Sequence, residues 1–300
     1  MENEKTNENS QPQQTIESQL LNMTTIVECG LHNVVRRRGS GFFFSSMAQS
    51  NLKTQGTQRR KADAHWLITN RHFVLPKIND KEIIPDYFTF NLREITDDKK
   101  IEWLPITYSY HEICAKLKLH PDPLVDVAAI NIEETLLQIL KEREKNIIMP
   151  TNLTIDNLPG VSPLTVEVAS DVAVVSYPRG FYDKVNKFPI VKSGIVASAW
   201  GSHFDGRPTF LIDAKLFPGS SGGLVVSKPT NMIIMNGRPS FNNRKQFLFL
   251  GVYSGESLYQ SNKIEIDEMT IIKKESYSIG NVWYSKLVTA IIEKGLSIRL

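Results

Sequence analysis

Phe217-Pro218-Gly219-Ser220-Ser221-Gly222-Gly223-Leu224 is the stretch on which the reading of this chain turns. Glycines on both sides of a serine pair, just ahead of an apolar strand, permit a tight loop. In such a loop backbone N–H groups turn inward and a hydroxyl is presented without side-chain crowding. A serine nucleophile beside an oxyanion site needs that geometry, but an ordinary turn has the same composition, so the stretch has to be weighed with others. Two segments stand out. Trp66-Leu67-Ile68-Thr69-Asn70-Arg71-His72-Phe73-Val74 is an apolar strand delivering a histidine at its end, and Val125-Asp126-Val127-Ala128-Ala129-Ile130 opens an apolar strand with an acid. Asp122 competes with Asp126, but it sits in His120-Pro121-Asp122-Pro123, where flanking prolines favour a turn.

Around these segments the chain reads as short β-branched and aromatic runs separated by turn residues. Thr25–Cys29, Gly41–Phe44, Trp66–Thr69, Tyr87–Leu92, Ile101–Tyr108 and Asp126–Ile132 form one group. Thr165–Val168, Asp171–Ser176, Phe188–Ala199, Thr209–Asp213, Gly223–Val226 and Gln246–Ser254 form a second. Between the groups, Ile132, Leu136, Ile139 and Leu140 recur at helical spacing and predict an amphipathic connector helix. Leu287, Val288, Ile291 and Ile292 predict a closing helix that stops at Gly295. The expected division is an acidic, polar tail over 1–20, a first β-unit with the connector helix over 21–165, and a second with the closing helix over 166–300.

In the order His72, Asp126, Ser221, separated by 54 and 95 residues, the three segments resemble the trypsin-like (chymotrypsin-fold) serine peptidases. Thr69-Asn70-Arg71-His72-Phe73-Val74 is similar to the family's Thr-x-x-His-x-Val block, Asp126-Val127-Ala128 to its Asp-x-Ala strand, and Gly219-Ser220-Ser221-Gly222-Gly223 to its Gly-x-Ser-Gly-Gly loop. Gly39-Ser40-Gly41-Phe42, Ser176-Tyr177-Pro178-Arg179-Gly180 and Val191-Lys192-Ser193-Gly194-Ile195-Val196-Ala197-Ser198, with Ile212-Asp213-Ala214 before the serine loop, extend the likeness to the bacterial HtrA-related type. The resemblance implies an all-β fold of two six-stranded antiparallel β-barrels. It also implies a peptidase acting through a His72–Asp126–Ser221 triad, with Ser220 as the fallback nucleophile. The Gly219 and Ser221 N–H groups would form the oxyanion hole; Pro218 has no N–H to contribute. Protein or peptide is the substrate class. Only about 20 residues follow Tyr277, so a C-terminal PDZ module of the HtrA kind is not expected.

The same resemblance bears on control and specificity. Secreted trypsin-like enzymes carry Asp immediately before the nucleophile, to pair with a new N-terminus after cleavage; Ser220 offers no charge for this, so activation by N-terminal cleavage is not expected. Lys215 and Leu216 would help form the primary pocket, with Ser254, Gly255 and Glu256 on the strand that pairs with substrate. Lys215 stands where a preference for Arg or Lys would need an acid. A small apolar P1 against Leu216 is expected first, and an acidic P1 drawn by Lys215 second.

Composition narrows the rest. The chain has 300 residues, 41% hydrophobic and 22% charged, as in a globular protein, with no apolar run approaching the roughly 20 residues of a membrane-spanning helix. Its start, Met1-Glu2-Asn3-Glu4-Lys5, lacks the basic and apolar regions of a secretory signal, so a cytoplasmic location and no membrane partner are expected. Two cysteines, Cys29 and Cys114, read as inert thiols rather than a disulfide framework or zinc site, and no cofactor or metal is expected. Net charge is only +3, but it hides a run from Arg36 to Lys61 with seven basic and no acidic residues. Without interleaved aromatics over 48–61, solvated loops are favoured over a nucleic-acid partner. A regulatory protein partner and a catalytically silent binding module stay open.

Overall fold

The computed structural model describes residues 15–31, 35–47, 62–143, 146–161, 163–235, 238–266 and 269–298. Most of the acidic tail and most of the basic run therefore lie outside the described residues, and Ile16–Asn22 forms a short helix (α1) capped by Thr15.

Phe42-Phe43-Phe44 shows how the sequence builds the fold. Side chains alternate across a strand, and here both sides are apolar. Phe43 (2% exposed) packs with Val27, Leu67, Phe88, Phe90 and Ile130 in a core wrapped by the first unit. Phe42 and Phe44 (both 0%) face the other way, into a core shared with Val175, Leu224, Val226 and Phe249 of the second unit. A third core, with Val174, Phe210, Ile212, Val225 and Tyr253, fills the second unit. One strand buried on both faces thus fastens the two halves together.

The first unit contributes β1 (Thr24–Leu31), β2 (Val35–Met47), β3 (Ala62–Thr69), β4 (Tyr87–Ile95), β5 (Ile101–Ser109), β6 (Leu117–Leu119), β7 (Ala128–Asn131) and β8 (Ile147–Ile148). The second contributes β9 (Asp171–Ser176), β10 (Ile190–Val196), β11 (Thr209–Asp213), β12 (Leu224–Ser227), β13 (Phe249–Ile266), β14 (Met269–Tyr284) and β15 (Leu296–Ser297). β9-β10-β11-β14-β13-β12 close into a six-stranded barrel. The strands of the first unit instead join β15, from the second, in a nine-stranded sheet in the order β8-β4-β1-β2-β3-β7-β6-β15, with β5 paired to β4. The expectation of two six-stranded barrels therefore meets one closed barrel and one sheet. In that sheet the edges are taken up by extra partners: the last strand of the chain, β15, pairs with β6, while β5 and β8 pair with β4.

Both expected helices are present: Glu133–Arg143 with Leu136 and Ile139 buried, and Lys286–Lys294 with Leu287, Val288, Ile291 and Ile292 buried. Thr165–Val168, expected as a strand, is irregular, and Val168 is exposed. The helix Tyr110–Lys116, started by a Ser109/Glu112 capping box, was not expected. Both cysteines are free and buried; burial pushes the Cys29 thiol up to about 11, far from a thiolate nucleophile at neutral pH. No helix among the described residues is long and apolar enough to cross a membrane.

Candidate active site

β3 ends at Thr69, and the chain turns at once into the single helical turn Arg71–Val74, which lifts His72 out of the sheet. Asp126 lies just before β7, the next strand of the sheet, which pairs with β3 through Thr69↔Ala128. Strand pairing alone therefore brings the two residues together. Asp126 grips His72 twice: Oδ1 accepts from the His72 backbone N–H at 2.9 Å, and Oδ2 stands 2.8 Å from His72 Nδ1. A third donor, the Ser254 hydroxyl, reaches the same Oδ2 at 2.7 Å, and Asn70 Nδ2 donates to the Asp126 carbonyl at 2.7 Å. His72 and Asp126 are 36% and 22% exposed at the side chain, so the pair opens to one side. There it lines a cleft of about 260 Å³ with Leu75, Lys77, Pro123, Leu124 and the bidentate Arg71–Glu82 pair. The Arg71 guanidinium holds the Glu82 carboxyl below its usual range. A larger cleft of about 820 Å³, between α1, Val191 and Lys228–Pro229, contains none of these residues.

Ser254 reaches Asp126 because β13 is irregular where it passes the site: its register against β14 shifts between Tyr253 and Gly255. A bulge of this kind re-aims the residue it displaces. The sequence placed Ser254 on the substrate strand; in the structure its hydroxyl turns to Asp126, and its carbonyl accepts from Ser221 Oγ at 3.1 Å. Ser221 and His72 make no hydrogen bond with each other here, so the Ser221 hydroxyl has to swing from Ser254 to reach the imidazole. Such bonds commonly tighten only when substrate is bound.

The serine loop is held by its carbonyls. In a trans peptide the C=O and the following N–H point in opposite directions. Arg179 N–H donates to Pro218 O at 2.7 Å, which turns the Gly219 N–H the other way; Gly223 N–H donates to Ser220 O at 2.9 Å, which does the same for Ser221 N–H. Among the described residues neither Gly219 N–H nor Ser221 N–H has an acceptor, so two donors are left facing outward. Arg179 takes up this position with φ 49°, a left-handed conformation unusual for a side chain of its size.

The clasp between the halves is Ser40, a residue with no catalytic look in the sequence. Its N–H donates to Ser221 O, its hydroxyl donates to Gly219 O and accepts from Tyr177 N–H (2.9 Å each), and its carbonyl accepts from Thr69 Oγ1 at 2.8 Å. Ser40→Ala leaves the Tyr177 N–H buried and unpaired, a cost of about 1–3 kcal/mol. Thermal denaturation should register a loss of about 3–8 °C.

Gly222, φ +78°, is the tightest point. A Cβ there would stand 2.0 Å from Ser40 O and 2.6 Å from Thr69 Oγ1. Strain and overpacking together make Gly222→Ala cost about 2–6 kcal/mol. A drop in the urea midpoint of Gly222→Ala with unchanged m-value is the expected reading.

Of the remaining predicted residues, Lys215 is exposed and Leu216 (2%) is seated in the barrel core with Tyr253, following the in-out alternation from Asp213 to Phe217. Gly255 and Glu256 are half-buried on β13. Ser220 is fully buried, and its hydroxyl accepts from Ser176 Oγ at 3.2 Å. Phe217 is exposed, with Lys192 Nζ and Arg179 Cζ over its ring at 4.9 and 5.9 Å. Asp122 spends its side chain on the Leu124 N–H, as a turn residue does.

The profile of the trypsin-like peptidase domain matches residues 39–234, about two thirds of the chain and the stretch that carries His72, Asp126 and Ser221. The chain belongs to that family, and it is a serine peptidase of the trypsin-like class. No curated protein matches its sequence. Among solved structures it is similar to the active form of the Rv3671c protease from M. tuberculosis, with 16% identity, 95% of this chain and 86% of that one covered, and a TM-score of 0.45. It is also similar to the HtrA-type protease AlgW bound to a tripeptide, with 14% identity and a TM-score of 0.45. That match covers 92% of this chain and 60% of the AlgW chain.

Proposed function

We propose that the chain hydrolyses peptide bonds through an acyl-enzyme on Ser221, with His72 as general base and acid, Asp126 as its orienting partner, and the Gly219 and Ser221 N–H groups as oxyanion hole. The observation that carries this reading is the double grip of Asp126 on His72. Accepting from Nδ1–H leaves Nε2 as the free basic nitrogen, and the second bond, from the His72 backbone N–H, fixes the carboxylate against the segment that carries the ring. A serine hydroxyl is a weak nucleophile at neutral pH and needs such a base. His72 takes the Ser221 proton as the hydroxyl attacks the carbonyl carbon, then returns it to the leaving amine; water repeats the cycle to release the acid. The two outward N–H donors lie beside the nucleophile, where each such donor contributes about 3–4 kcal/mol to the tetrahedral intermediate. The substrate is a protein or peptide strand.

A fluorophosphonate probe on the full chain, followed by peptide mapping, tests the reading. The label is expected on Ser221, with none on Ser221→Ala. A chain that stays unlabelled with and without peptide ligands would instead be a binding module built on this fold, a reading that the resting Ser221–Ser254 hydrogen bond keeps in view.

A further inference from the structure

Arg179 holds a backbone conformation that its side chain does not favour. Its φ of 49° is a position where glycine or asparagine sits at less cost. A large side chain kept at such a place calls for a reason. It is exposed, and its guanidinium carbon lies 5.9 Å from the centre of the Phe217 ring. Lys192 Nζ lies 4.9 Å from the same centre, so the two cations are at most about 11 Å apart. Phe217 is 41% exposed, and Phe181, just beyond Arg179 in the chain, is 67% exposed. Other cations near the site are matched by carboxylates of the chain, Arg71 by Glu82 at 2.8 Å and Arg38 by Glu28 at 2.7 Å. A ring offers a quadrupole and no net charge, so Arg179 and Lys192 keep theirs. The acid next along the chain, Asp183, spends its carboxylate on the Val185 and Asn186 N–H groups and Asn186 Nδ2.

The place of this group follows from how the serine loop is bordered. β13 meets the loop at Ser221 and Gly222, through Ser221 Oγ to Ser254 O at 3.1 Å and Gly222 N–H to Tyr253 O at 2.8 Å. The turn Tyr177–Arg179 meets it at Pro218 and Gly219. Arg179 N–H donates to Pro218 O at 2.7 Å, and a Cβ on Gly219 would stand 2.7 Å from Arg179 N and 3.4 Å from Arg179 Cα. Arg179 is thus fixed beside Gly219, whose N–H faces outward. A substrate strand laid along Ser254–Glu256 brings the residues before the scissile bond to Ser221 from the β13 side. Running extended through the site, it leaves with the residues after the bond across the other border, which carries Arg179, Phe217 and Lys192. At about 3.4 Å per residue, the first two of these residues pass within reach of a long side chain rooted there.

We propose that Arg179 and Lys192, set over the Phe217 ring, select substrates that carry Asp or Glu at the first or second position after the scissile bond. This rests on the peptidase reading given above and names the substrate class of the same site. A carboxylate at that place is drawn by two cations, an amide of the same shape by neither, and a lysine is repelled by both. The selection is separate from that at the residue before the bond, where Lys215 was expected to act. Each exposed pair is weak, so the two together raise kcat/KM by about tenfold at low salt. The gain falls in KM, because the carboxylate is held alike in the bound substrate and in the transition state.

The full chain is incubated with a random peptide library, and the cut sites are read by mass spectrometry. Asp and Glu are expected to be enriched at one of the two positions after the cut. Synthetic peptides that differ only as Glu or Gln at that position should differ about tenfold in kcat/KM, falling to about twofold in about 0.5 M salt as the charges are screened. Lys192→Gln and Arg179→Gln should each reduce the ratio to about threefold, and the double variant should abolish it. Arg179→Glu combined with Lys192→Glu should turn the preference toward Lys. Cutting with no enrichment of acids at either position, or a Glu-to-Gln ratio unchanged in the double variant, would overturn the proposal. If Arg179→Gln does not fold, Lys192→Gln and the salt dependence decide. A library left uncut with Ser221 unlabelled by the fluorophosphonate overturns the peptidase reading itself, whereas cutting without acid preference overturns this inference alone. A labelled chain that leaves the library uncut also counts against it, since the library holds acids at both positions.

Discussion

Ser221→Ala is expected to lower kcat by about 10⁶-fold, some 8 kcal/mol of transition-state stabilisation, while leaving the fold intact. The hydroxyl makes one hydrogen bond in the resting structure, to Ser254 O, and its loss costs about 1 kcal/mol of stability at most. The loop that carries it is held by backbone bonds the substitution does not touch: Ser40 N–H to Ser221 O, Gly222 N–H to Tyr253 O and Gly223 N–H to Ser220 O. Gly219 and Ser221 N–H therefore stay in place, and a residual rate of about 10³–10⁴ over water is expected to survive from them and from substrate binding. Steady-state kinetics on a peptide substrate with a Tm measured beside it checks both halves. Ser220→Ala is the companion variant: its side chain meets Ser176 inside the protein, so its kcat should change far less. A kcat that collapses for Ser220→Ala and survives in Ser221→Ala would move the nucleophile by one residue.

Asp126→Asn should lower kcat by about 10⁴-fold at neutral pH. The carboxylate accepts three hydrogen bonds, one on Oδ1 and two on Oδ2. An amide has one acceptor oxygen. If its NH₂ takes the place of Oδ1, it meets the His72 backbone N–H donor to donor. If it takes the place of Oδ2, it donates to Nδ1, the proton moves to Nε2, and the base is lost. Ser254→Ala removes only one of the three bonds and leaves the tautomer alone, so its loss should be closer to tenfold. Kinetics on the two variants separates the contributions. Equal losses would mean that Asp126 acts through the strand geometry around Ser254 rather than through the imidazole.

Much of this was legible because the signals are local. Gly41–Phe44 announces a strand by its aromatic run, and Leu287, Val288, Ile291 and Ile292 announce a helix, because burial there repeats with the period of the element; that the strand is buried on both faces only the structure shows. The glycines around Ser221 announce a loop that no side chain fits, and Gly222 against Ser40 O is the reason. Thr165–Val168 misled because its β-branched residues report propensity, while a strand also needs a ladder partner, and none of its neighbours supplies one.

What the sequence by itself determined about this protein is therefore the residue types and their order: a histidine after one apolar strand, an aspartate before another, a serine among glycines. Only the tertiary structure decided how they are held. The bulge that sends Ser254 to Asp126, the four bonds of Ser40, the left-handed Arg179 that points Gly219 N–H outward, and the open nine-stranded sheet beside one closed barrel all join residues far apart in the chain. Alternation and spacing report which face of a segment is buried. They do not report which strand edge meets which, and hydrogen bonds between distant backbones leave no mark in composition.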